Sequence, residues 1–107
     1  MNTSYGLIEV SGVVAAVESL DAMTKAADVS LVTWERKWGG RLVTVIVEGT
    51  VSDVTAAVEA AKHITKANGH ILASSGVIAS PSEEIRKMAE FSKQRLKQQN
   101  IQFKEEN

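Results

Sequence analysis

The chain has 107 residues, a formal net charge of −1 and no cysteine. That length bounds it to one domain burying roughly 60–70% of its unfolded surface, and the charge balance gives no field to draw it to nucleic acid or to an anionic membrane. The lack of thiols excludes disulfides, thiol catalysis and any cysteine-held zinc or iron–sulfur site.

Met1-Asn2-Thr3-Ser4 starts polar, without a basic region and a following apolar run, and no apolar stretch approaches the ~20 residues of a membrane span. A cytoplasmic protein is expected. Tyr5-Gly6-Leu7-Ile8-Glu9-Val10 is β-rich and reads as a first strand. Ser11 is placed to cap a first helix near 12–27, with Val13, Val14, Val17, Leu20 and Met23 at helical spacing as its apolar face. A second strand from Ser30 to Lys37 and a third from Leu42 to Glu48 are joined at Trp38-Gly39-Gly40-Arg41, where the glycines let the backbone turn. Thr50-x-x-Asp53 fits a capping box and opens a second helix with Val54, Ala57, Val58, Ala61 and Ile64 on one face. Asn68-Gly69 stops that helix. Ile71 to Ile78 is a fourth strand. Ser80-Pro81-Ser82-Glu83 then starts a last helix, with Ser80 as cap, Pro81 in the first turn and a polar tail that frays beyond Asn100.

This β-α-β-β-α-β-α order gives an α+β fold: a ferredoxin-like βαββαβ core, with an antiparallel four-stranded sheet carrying helices on one face, plus a C-terminal helix. Leu42 to Val47 is nearly continuously apolar, although a strand with one wet face alternates. Either the last helix or another subunit must cover the second face.

Catalytic constellations are missing. His63 and His70 have no carboxylates at ligand spacing, so both read as surface or packing residues, and neither a metal nor a cofactor is expected. Ser74-Ser75 lacks a nucleophile elbow. The glycine pair lacks the following helix that a phosphate loop requires. Glu35, Arg36 and Lys37 read as solvated charge at a strand end. RNA recognition on this fold needs paired aromatics on the central strands, which here are aliphatic or carry serines. A ferredoxin-like regulatory domain for a small ligand stays open as a second reading.

The stretches Gly6-Leu7-Ile8-Glu9-Val10-Ser11-Gly12-Val13-Val14-Ala15-Ala16, Asp21-Ala22-Met23-Thr24-Lys25-Ala26-Ala27 and Leu42-Val43-Thr44-Val45-Ile46-Val47-Glu48-Gly49 resemble the bacterial microcompartment shell proteins of the single-domain, hexamer-forming class. The resemblance runs from about Tyr5 to Pro81 and implies a shell domain over residues 4–82, followed by a C-terminal helix and polar tail over 83–107. It implies a non-enzymatic homo-hexamer that tiles with other shell proteins around encapsulated enzymes in the bacterial cytoplasm. Small metabolites would cross a central pore.

The family's pore loop, usually Lys-Ile-Gly-small-Gly, stands here as Lys37-Trp38-Gly39-Gly40-Arg41, so an aromatic and a cation replace an aliphatic and a glycine. Lys25 and Asp28 match positions at the hexamer edge. The family's Pro-Arg-Pro-His edge motif appears as Ala79-Ser80-Pro81-Ser82. Serine cannot supply the fixed multidentate bonds of an edge arginine, so weaker self-tiling is expected. The stripe of Ile85, Met88, Ala89 and Leu96 is expected to pack the last helix on its own hexamer, or alternatively to dock cargo.

Overall fold

The computed structural model describes residues 3–36 and 40–106, with side chains described as far as Gln98. Its elements follow the expected order: β1 (Ser4–Ser11), α1 (Val13–Ala26), β2 (Ser30–Arg36), β3 (Leu42–Gly49), α2 (Val51–Ala67), β4 (Leu72–Ile78) and α3 (Glu83–Glu106). The strands form one antiparallel sheet in the order β2-β3-β1-β4. Lys37, expected to end the second strand, lies outside the described residues.

Alternation along β1 and β3 divides the sheet into two faces. Ile8, Val10, Val43, Val45 and Val47 are buried against Ala15, Ala16 and Met23 of α1 and against Val54, Ala57, Val58 and Ala61 of α2. The alanines allow the helices to lie close to each other and to the sheet. Ser19 and Thr65 are buried where α1 meets α2; their hydroxyls lie 3.3 Å apart, and Thr65 Oγ1 also donates to the Ala61 carbonyl at 2.6 Å. Those polar atoms are therefore satisfied inside an otherwise apolar contact.

This packing corrects the expected face of the first helix. Ala15, Ala16, Ser19 and Met23 point inward, whereas Val14 and Val17 are 65% and 56% exposed. Close contact between α1 and α2 selects small residues, and the valines are turned to the outside. Ser11 is also not the cap: it ends β1, and Gly12 caps α1 at φ 100°, a conformation that favours glycine. Thr50 caps α2 as expected, with Asp53 N–H donating to Thr50 Oγ1 at 3.1 Å, while the Asp53 carboxylate accepts from the Thr50 hydroxyl at 2.9 Å and not from its backbone N–H as a full capping box would. Gly69 follows that helix at φ 71°.

The sheet's second face carries Tyr5, Leu7 and Glu9 of β1 beside Glu48, Ile46 and Thr44 of β3. A bulge between Leu31 and Thr33 leaves Leu31 on the core side while Thr33 stands opposite Ile46. α3 lies over this face. Ser82, rather than Ser80, caps it: Ile85 N–H donates to Ser82 Oγ at 3.3 Å and Arg86 N–H to the Ser82 carbonyl at 3.1 Å. The helix continues to Glu106, past the point where fraying is expected at Asn100.

Two ion pairs tie α3 down. Lys93 Nζ lies 2.7 Å from Glu48 Oε2, and Arg95 Nη2 lies 2.6 Å from Glu35 Oε1. Glu35 is thus not merely solvated charge. The hydrogen bond that Lys93 donates to Glu48 holds its ammonium above the usual value of 10.5, against the opposing effect of burial. A raised lysine contributes stability fully below its unfolded value and loses it as pH rises through the folded one. Attachment of α3 is therefore expected to be unchanged from pH 7 to about 10 and to weaken above about 10.5, read as faster proteolytic trimming of α3 at high pH. Lys93→Met should show the faster trimming already at pH 7.

Candidate functional site at the two ends of the sheet

The antiparallel register defines two opposite ends. Ser11 is paired with Leu42 at one, and Ser4 with Gly49 at the other. Eight-residue strands at ~3.4 Å per residue separate them by about 25 Å.

Gly40 and Arg41 sit at the first end, both exposed, in the bend that leads into β3. Lys37, Trp38 and Gly39 lie outside the described residues. The Gly12 N–H donates to the Arg41 carbonyl at 2.8 Å, and the Ser11 N–H donates to the Ile71 carbonyl at 3.0 Å. The Arg41 backbone is therefore held against the start of α1, while its side chain is exposed. Among the described residues no carboxylate forms an ion pair with its guanidinium.

Lys25, Asp28, Ser80 and Pro81 gather at the opposite end. Lys25 is in the last turn of α1, exposed and 2.9 Å from Asp21 Oδ2. The Asp28 N–H reaches Asp53 Oδ1 at 3.4 Å. A Cβ on Gly49 would meet the Asp28 carbonyl at 3.0 Å, which places Asp28 against the end of β3. Ser4 Oγ donates to the Ala79 carbonyl at 2.8 Å and so fixes the turn after β4, where Ser80 is exposed and Pro81 buried. The sheet thus brings together Lys25, Asp28 and Ser80, spread over some fifty positions of sequence, and keeps all of them away from Arg41.

Sequence reasoning missed the role of Gly12. Its signal was the glycine itself, directly after a strand and before a helix. A second tie was equally hidden. Glu18 Oε2 accepts from Asn68 Nδ2 at 2.6 Å and lies 3.1 Å from His70 Nε2, so the half-buried His70 packs as a link between α1 and the loop before β4. His63 is exposed. Among the described residues no group of three or more His, Asp or Glu side chains is placed to share a metal ion, and no helix is long and apolar enough to cross a membrane.

Residues 4–81 match the BMC domain model. The chain is 45% identical over 86 residues to the carboxysome shell protein CcmK1 of Synechocystis sp., covering 79% of this chain and 77% of that one. It is 44% identical over 89 residues to the carboxysome shell protein CsoS1B of Hydrogenovibrio crunogenus, covering 79% and 91%. Among solved structures, a microcompartments protein from Desulfitobacterium hafniense DCB superposes with a TM-score of 0.73 at 25% identity; the match covers 86% of this chain but about half, 49%, of that one. The chain belongs to the BMC-domain family.

Proposed function

We propose that this chain is a structural, non-enzymatic shell subunit of a bacterial microcompartment. In this reading residues 4–82 form the shell domain and 83–107 an appended helix and tail. The subunits form a cyclic hexamer that tiles with other shell proteins around enclosed enzymes. Lys37, Trp38, Gly39, Gly40 and Arg41 line a pore on the ring axis, and Lys25, Asp28, Ser80 and Pro81 meet neighbouring hexamers at the rim. Family membership and the shell-protein relatives support the assembly.

The observation that carries the residue assignment is the division of the sheet into two ends about 25 Å apart. A ring with the strands directed along its radius has Gly40 and Arg41 inward, and Lys25, Asp28 and Ser80 outward. An exposed cation at that end is then repeated around a narrow axis, where its charge favours anionic solutes.

Solution mass tests the assembly. A mass six times that of the subunit is expected at micromolar concentration, and a monomer or dimer would overturn the reading. Removing residues 86–107 is expected to leave that mass at six truncated subunits, because both ends of the sheet belong to the preceding core; a fall in recruitment of enclosed enzymes would support the alternative that α3 docks cargo. Dissociation on truncation would instead assign α3 to the ring itself.

A further inference from the structure

A second binding feature lies on the other face of the sheet, beneath α3. α3 does not close down on the face it covers. Between them is a half-enclosed cavity of about 370 Å³. Its walls are Leu7, Val32, Ile46 and Ile78, and its lid is formed by Ile85 and Met88 of α3. The two ion pairs, Lys93 with Glu48 and Arg95 with Glu35, attach the helix by its side chains. Meanwhile Met88 and Phe91 are 69% and 68% exposed instead of filling the space below.

A cavity of this size holds the volume of about twelve liquid waters at ~30 Å³ each. Its walls offer water few partners, and protein interiors are otherwise packed as densely as organic crystals. Its dimensions and lining instead match those of small-molecule sites, which are mainly apolar with a few placed polar groups. The polar groups here are the hydroxyls of Tyr5, Thr33, Thr44 and Ser92 and the carboxylate of Glu35. Glu35 is already neutralised by Arg95, and Thr44 Oγ1 donates to Glu9 Oε2 at 3.2 Å. The cavity therefore has no unmatched charge for an ionic ligand, but its rim offers oxygen acceptors to a hydrogen-bond donor.

We propose that the space between α3 and the sheet is a binding site for a small neutral molecule, a compact hydrocarbon ring or branched chain bearing one N–H or O–H donor. The site is separate from the proposed pore and does not depend on it.

Indole serves as the probe, titrated into the full-length protein while methyl resonances are followed by NMR. Saturable binding of one indole per subunit is expected, with a Kd of about 0.1–1 mM, the affinity of a fragment. Shifts should be confined to the methyls of Leu7, Val32, Ile46, Ile78 and Ile85. Ala89→Phe, which fills the cavity from the α3 side, should weaken binding at least about tenfold, while Phe91→Ala, outside the lining, should leave it unchanged. No saturation by several millimolar, shifts elsewhere on the surface, or equal binding by a folded Ala89→Phe protein would overturn the proposal. So would indole binding that appears only in dissociated subunits, since a neighbouring copy would then be the occupant. Should Ala89→Phe fail to fold, the methyl shift map of the unaltered protein decides alone.

Discussion

Replacing Gly6 with valine is expected to destabilise the subunit by about 3 kcal/mol, the upper part of the range for overpacking a well-filled core. Gly6 lies in β1, a central strand, facing α2. A Cβ there would sit 3.0 Å from Val58 Cγ2 and 3.3 Å from both the Cβ and the carbonyl oxygen of Val54. Valine adds two further carbons to that contact. The side chain of Val58 can yield a little, but the Val54 carbonyl is helix backbone and moves only with the helix. α2 supplies Val54, Ala57, Val58 and Ala61 to the core, so its displacement loosens contacts well beyond position 6. Alanine at the same position should cost only about 1 kcal/mol, because the lost chain entropy of the unfolded state offsets part of the crowding. Urea midpoints at a fixed subunit concentration provide the measurement, since assembly itself adds concentration-dependent stability. An unchanged midpoint for Gly6→Val would mean that α2 does not press on β1.

Arg41→Glu is expected to have the largest effect on function, reversing the charge preference of the proposed opening with little effect on folding. The side chain is exposed and forms no ion pair with a described carboxylate, while the position of residue 41 is set through its backbone by the Gly12 N–H. Substitution therefore alters the charge without altering that backbone bond. Repeated around an axis, that change replaces a ring of cations with a ring of anions, and a narrow low-dielectric opening amplifies the field of one sign. Ion current through a shell-protein layer held under a salt gradient gives the readout. The unaltered protein should favour anions, and the variant should favour cations, with the permeability ratio shifting about tenfold or more at low ionic strength. Salt at 1 M shortens the Debye length to ~3 Å and should suppress the difference. A reversal potential that does not move would remove Arg41 from the pore.

Much of the fold was legible because its signals are local. Thr50 and Asp53 cap α2 through atoms three residues apart, and Gly69 adopts its left-handed turn one residue after Asn68. Neither requires knowledge of a partner element. The errors arose where a choice depended on one. Ser11 is a good cap in isolation, but its N–H is drawn to the Ile71 carbonyl as β1 continues, and Gly12 inherits the helix start. Val14 and Val17 look like the core face of α1 by hydropathy. Once α2 approaches, Ala15, Ala16 and Ser19 fit the gap better. Glu35 appeared to be an idle charge because Arg95, its partner, is sixty positions away.

The candidate site was legible as residue identities but not as an arrangement. Composition, period and caps determined the order of strands and helices, and the absence of cysteine excluded thiol chemistry. Only the tertiary structure decided that Arg41 stands at one end of the sheet while Lys25, Asp28 and Ser80 stand at the other, and that α3 spans the second face above an unfilled cavity. Local sequence sets what each segment prefers. Distance along the chain says nothing of distance in space until the antiparallel register and the helix packing have been settled.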